Sequence, residues 1–237
     1  MKRAAGSTRD AIFAAAAAEF AAHGFAGASV DDIARRSGFN KAMIYYHFRS
    51  KQGLYAEILG GVFRAVGART GEIAASGLAP AAKIEAVIDA FDRMAESRPY
   101  MPRVMMREMA SGALRLDRGT LRLMAVIFRN IERILDEGAR ARAFRRADPT
   151  LTYFSLILPV IFFRATAPIR DAFNTSGVLA LRPSSPEFVA NLKRTAAAAL
   201  APDARTRPLL AGSRAPLETF RPDRRRSSRS ARPGDHR

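Results

Sequence analysis

Between residues 29 and 51 stand two lysines, two adjacent tyrosines and a histidine: Lys41, Tyr45, Tyr46, His47 and Lys51. These side chains suit a polyanion, because ammonium groups and phenol hydroxyls meet phosphate oxygens while the rings contact sugars and thymine methyls. Adjacent exposed phenols beside a lysine make little sense on an ordinary solvated surface, but they suit the major groove of a duplex. Other chemistry has little to work with. The 237 residues include no Cys and only three His, at positions 23, 47 and 236, which removes disulfides, thiolate catalysis and Cys-based metal sites together. No Walker loop, dinucleotide-binding glycine pattern, zinc-helix motif or nucleophile elbow occurs, so no enzyme activity, metal or cofactor is expected. Asp31 and Asp32 are adjacent and diverge by about 100° on a helix, so they are poorly placed to share a proton or a cation.

The elements that must position these residues are short helices with recognisable ends. Ser29, with Asp32 three residues on, opens a helix through Ile33 and Ala34 to Arg36, and Ser37-Gly38 form a turn. Asn40 caps a second helix from about Lys41 to His47, and Ser50 caps a third that starts at Lys51 and continues to about Ala75, with bends expected near Gly60-Gly61 and Gly67. Upstream, Ser7-Thr8-Arg9-Asp10 has capping-box spacing and predicts a helix from about Thr8 to His23, stopped by Gly24. A short helix, a glycine turn and a second short helix fit a helix-turn-helix, with Ile33, Ala34, Ile44 and Phe48 fixing the crossing.

Over about residues 8–60 the sequence resembles the tetracycline-repressor (TetR) family of bacterial regulators. The resemblance rests on Phe20 with Gly24-Phe25, Ile33-Ala34, Gly38, Tyr45-Tyr46-His47-Phe48 and Ser50-Lys51. It implies that Lys41, Ala42, Met43 and Tyr46 read bases and that Ser29, Tyr45, His47 and Lys51 clamp phosphates. Asp31 departs from that expectation, since a carboxylate would repel the DNA backbone, and is expected to face away. The resemblance further implies a homodimer bound to a near-palindromic double-stranded operator, its reading helices about 34 Å apart, and released by a small, largely apolar effector.

The remainder of the chain reads as helical, with no convincing strand pattern and no repeat. Pro80 opens a helix to about Ser97, and Pro99 and Pro102 lead into one carrying Met105, Met106 and Met109 that stops at Gly112. A long amphipathic helix follows from about Asp117 to Ala141. The next runs from Asp148-Pro149 to Phe163 with a kink at Pro159, and the last from about Pro186 to Leu200. Met94, Met105, Met109, Met124, Phe128, Phe154 and Phe162 are candidates to line an adaptable apolar pocket, with plain core packing as the competing reading of each. Arg98, Arg107 and Glu108 either orient a polar ligand group or form ion pairs. The helices near Leu151 to Phe163 and Phe188 to Leu200 are nominated for a four-helix dimer interface.

The fold class is therefore all-α: an N-terminal three-helix helix-turn-helix DNA-binding domain at 1–50, a helical ligand-binding and dimerisation domain at 51–201, and an Arg/Pro/Ser-rich tail at 202–237 expected to be disordered. Thirty-nine Lys and Arg against 22 Asp and Glu leave +17, divided as +3 over residues 1–59, +8 over 60–201 and +6 over the tail. The total thus overstates any folded DNA face. No stretch has the roughly 20 apolar residues of a membrane span, and the alanine-rich start reads as an amphipathic helix rather than a signal peptide, so a cytoplasmic location without membrane contact is expected. Two rivals remain: a sequence-tolerant architectural DNA-binding protein, for which tail and net charge would matter most, and an enzyme or carrier reusing the helical domain.

Overall fold

Side-chain caps set most of the helix boundaries. In a computed structural model describing residues 5–202, the helices are α1 (Ala5–Gly27), α2 (Val30–Ser37), α3 (Lys41–Phe48), α4 (Lys51–Ala75), α5 (Pro80–Ser97), α6 (Tyr100–Ala110) and α7 (Arg118–Arg140), then α8 (Pro149–Thr152), α9 (Leu158–Ala165), α10 (Ala167–Ser176) and α11 (Ser185–Leu200). Ser29, Asn40, Ser50, Asp117 and Asp148 each accept a backbone N–H of the first turn they cap, satisfying a donor the helix leaves open. No strand occurs among the described residues, and the chain is all-α as expected. Expectations for residues 203–237 lie outside the described residues, as does the capping role of the Ser7 side chain; the α1 backbone is already helical at Ala5. Gly24 does break α1, with φ 68° and ψ −177°, and one more turn follows to Gly27.

Two corrections have simple physical causes. α4 runs unbroken as one 25-residue helix through the glycines where bends were expected, and Gly60, Gly67 and Gly71 serve close approach to α7. A Cβ on Gly67 would lie 3.4 Å from Val126 Cγ1, and one on Gly71 would lie 3.5 Å from the amide nitrogen of Asn130. Asn130 Nδ2 seals this contact by donating to Gly67 O and Thr70 Oγ1, both at 3.0 Å. The second concerns Pro159. It has no N–H for a hydrogen bond back along the helix, and its ring crowds the carbonyl four residues earlier. The chain accommodates it through a π-helical turn at Tyr153–Ile157 between α8 and α9.

α10 was not expected, although Pro168 stands in its first turn, nor was the capping box of α11, in which Ser184 and Glu187 exchange hydrogen bonds. The core runs continuously from Ile12, Phe20, Ile33 and Ile44 through Leu54, Tyr55 and Ile58 to Ile88, Ile127 and Ile131. Phe20, Phe25 and Tyr55 pack ring on ring, tying α1 to α4 with centroids 4.9 to 6.1 Å apart. α6 lies along α1, and α11 packs on α5.

Candidate nucleic-acid interface and apolar cavity

Ile33, Ile44 and Phe48 are buried where α2 and α3 cross, with Ala34 packed beside them, so the apolar faces of both short helices are spent on the crossing. Gly38, at φ 73°, supplies the left-handed turn between them. What remains of α3 faces outward: Lys41 and Ala42 are exposed, Tyr45 is 47% exposed and Tyr46 is 79% exposed. The turn into α4 is equally specified. A Cβ on Gly53 would lie 2.4 Å from Phe48 O, so only glycine lets α4 start this close to the end of α3.

Several expected DNA contacts are placed differently. Met43 is half-buried against the core rather than on the outward face. His47 turns Nε2 inward, where it is buried without a hydrogen-bond partner, so that nitrogen is not available to a phosphate. The Ser29 hydroxyl is engaged as the α2 cap, accepting from Asp32 N at 3.0 Å and donating to Asp32 Oδ2 at 2.6 Å. The bond from Ser29, then the one from Arg35, hold the Asp32 carboxyl below its ordinary range. Asp31 does not face away. Its Oδ1 lies 2.5 Å from Lys41 Nζ, and it pushes the lysine pKa up from its ordinary value. The ammonium of Lys41, at the start of α3, thus reaches the carboxylate in the first turn of α2. Arg49 was missed. It is exposed at the end of α3 with φ 63°, and its only signal was an arginine between an apolar helix end and a capping serine.

Residues 12–58 match the profile of bacterial regulatory proteins, tetR family. The N-terminal segment is therefore similar to the tetR family of bacterial regulators. The HTH-type transcriptional repressor SCO4008 of Streptomyces coelicolor is 47% identical over 53 residues, which are 22% of this chain and 28% of that one. The chain thus matches little more than a quarter of that curated relative's length. Likeness over the whole fold comes from solved structures. The putative transcriptional regulator SCO4942 from Streptomyces coelicolor, 27% identical, has a TM-score of 0.61 over 83% of this chain and 99% of its own. A TetR family transcription regulator from Marinobacter aquaeolei VT8, 18% identical, has a TM-score of 0.65 over 84% and 97%.

Behind the tetR-type domain, α4, α5, α6, α7 and α9 line a small apolar cavity of about 20 Å³. Met94, Met105 and Met109 line it, with Met101, Phe91 and Tyr153 among the residues sequence reading did not nominate. Burial alone pushes the Tyr153 phenol up to about 12. Met124 and Phe128 pack against the core beside the cavity rather than in its wall, Phe128 with its ring 4.6 Å from that of Tyr153. Phe154 and Phe162 are corrections: they are 54% and 56% exposed and point outward, because the π turn adds a residue and rotates the apolar stripe. Arg107 and Glu108 do not reach the cavity either. Arg107 donates from Nε to Ala21 O at 3.0 Å and from Nη2 to Ala22 O, capping α1 where Gly24 breaks it, and Glu108 accepts from Tyr55 and from the Arg115 N–H.

Leu151, Phe154, Phe162, Ile169 and Phe173 leave an apolar face exposed along α8 to α10, whereas α11 spends Val189, Leu192, Ala196 and Leu200 against its own chain. No single helix among the described residues is long and apolar enough to cross a membrane. Among the same residues no cluster of three or more His, Asp or Glu is arranged to hold a metal ion.

Proposed function

We propose that the protein is a homodimeric transcriptional regulator that binds a near-palindromic operator through α3 and releases it when a small, largely apolar effector enters the cavity between α4, α5, α6, α7 and α9. One observation carries the reading: α3 spends Ile44 and Phe48 inward and holds Lys41, Tyr45 and Tyr46 outward, as a helix entering a major groove must. The tetR-type match of residues 12–58 and the likeness to a repressor over 53 residues support it.

The cavity supports the effector class. Its lining is aliphatic, aromatic and thioether, with the Tyr153 hydroxyl the one polar side-chain group, and four methionines let it remodel around a guest. α6 supplies Met101, Met105 and Met109 to the wall and holds α1 through Arg107, so a guest that displaces α6 moves the DNA-binding helices. A preference of about 1–3 kcal/mol of the guest for the displaced state changes operator occupancy about 5- to 150-fold. The test is enrichment of duplexes from a random pool followed by titration of the enriched and a scrambled sequence at moderate salt. Preference for the enriched duplex, lost in Tyr46→Ala, is the expected result; equal binding to both sinks sequence-specific control.

A further inference from the structure

Two cations from distant parts of the sequence lie on one ring. Lys51 Nζ, in the first turn of α4, is 4.6 Å from the centroid of Phe25, and the guanidinium carbon of Arg115, in the loop between α6 and α7, is 4.5 Å from the same centroid. The charges are therefore no farther apart than those two distances together. Four other cations of the DNA-binding domain have a carboxylate: Arg9 has Glu57, Arg35 has Asp32, Arg36 has Glu19 and Lys41 has Asp31. Among the described residues, neither Lys51 nor Arg115 forms an ion pair. Burial, and then the Arg115 charge, pull the Lys51 pKa below its ordinary value. The mutual repulsion of the two charges is a cost that a bound anion relieves.

We propose that Lys51 and Arg115 form a two-cation clamp for a backbone phosphate of the duplex that α3 reads, so that the loop between α6 and α7 binds DNA together with the helix-turn-helix. The clamp rests on the proposed function. Lys51 directly follows the α4 cap, where the first backbone amides add their own attraction for a phosphate. Arg115 brings a planar fork suited to phosphate oxygens, and its placement is fixed from behind. Its backbone N–H donates to Glu108 Oε1 at 2.7 Å, while Glu108 Oε2 takes the Tyr55 hydroxyl at 2.7 Å. The carboxylate thus grips the main chain of the loop and leaves the guanidinium to the ring and the anion. Because Glu108 lies between Met105 and Met109 of the cavity wall along α6, a guest that shifts α6 also withdraws Arg115 from the phosphate.

The experiment is a salt titration of full-length protein on a duplex enriched from a random pool. Comparing wild type, Arg115→Ala, Arg115→Lys and Tyr46→Ala, a lost phosphate contact lowers the slope of log affinity against log salt by about 0.9. The expected pattern is that loss in Arg115→Ala, weaker binding to enriched and scrambled duplexes alike, and recovery in Arg115→Lys at unchanged thermal midpoint. A wild-type slope in Arg115→Ala overturns the clamp and leaves the proposed function standing. Equal loss in Arg115→Lys and Arg115→Ala also overturns it, by showing that shape on Phe25 matters and charge does not. Failure of the wild type to enrich or bind any duplex overturns the proposed function and the clamp with it.

Discussion

The Tyr55 hydroxyl donates a 2.7 Å hydrogen bond to Glu108 Oε2, joining α4 to α6 at a point sealed from solvent. The two residues are 53 positions apart, and nothing in the sequence pairs them. Through this bond the helix that carries Lys51 and the helix that carries the cavity methionines are held together, so movement of one is transmitted to the other.

Removing that hydroxyl leaves Glu108 with the Arg115 N–H alone. Tyr55→Phe is expected to lower unfolding stability by about 2 kcal/mol, the range for a hydrogen bond to a charged group. Burial, and then Glu108, raise the Tyr55 phenol above its ordinary value, and burial raises that of Tyr153 to about 12. A raised folded-state pKa gives stability that is complete below the unfolded value near 10 and is lost as pH climbs through the folded one. Urea midpoints should therefore fall from about pH 10 upward, less steeply in Tyr55→Phe and in Tyr153→Phe. Identical pH profiles in all three proteins would remove the account of these phenols.

Asp31 is paired with Lys41 of the proposed reading helix, where its charge would oppose a phosphate while it occupies the ammonium. Asp31→Asn is expected to tighten duplex binding several-fold at low salt and to steepen the salt slope by about one phosphate contact. Anisotropy titrations at several salt concentrations measure both. A slope equal to wild type means that Lys41 stays clear of the backbone.

Met105 is buried in the cavity wall. Met105→Ala enlarges the cavity and is expected to cost about 2–4 kcal/mol of stability, the range for a large-to-small core change. The same variant should bind an apolar naphthalene dye more tightly than wild type in an equilibrium fluorescence titration. Stability lost with no gain in dye binding would show that the wall collapses into the space instead of keeping it open.

Phe154, in the π turn, and Phe162, in α9, are both exposed among the apolar residues along α8 to α10. Replacing both with Glu places two charges in the proposed dimer interface, and sedimentation should then find a monomer with native helix content and with operator binding weakened at least tenfold. A dimer that survives both substitutions moves the interface elsewhere.

Much of the fold and the outward face of α3 were legible because they are decided locally. Ser29, Gly38, Asn40, Ser50, Pro80, Asp117 and Pro149 act within a turn of where they stand, so their types mark the helix ends, and a period near 3.6 separates buried Ile44 and Phe48 from exposed Tyr45 and Tyr46. The cavity was legible only in part. Met94, Met105 and Met109 line it, but the π turn imposed by Pro159 rotated Phe154 and Phe162 to the outside, a change of register that apolar spacing does not carry.

What the amino-acid order determined by itself is thus the set of helices, their caps and the outward face of α3, because each depends on neighbours within about four residues. Tertiary structure alone decided which groups meet across long separations: Arg107 with the carbonyls of Ala21 and Ala22, Tyr55 with Glu108, and Lys51 with Arg115 on the ring of Phe25. Those pairings follow from how whole helices pack, and packing is fixed by the summed fit of the core rather than by any one stretch of chain.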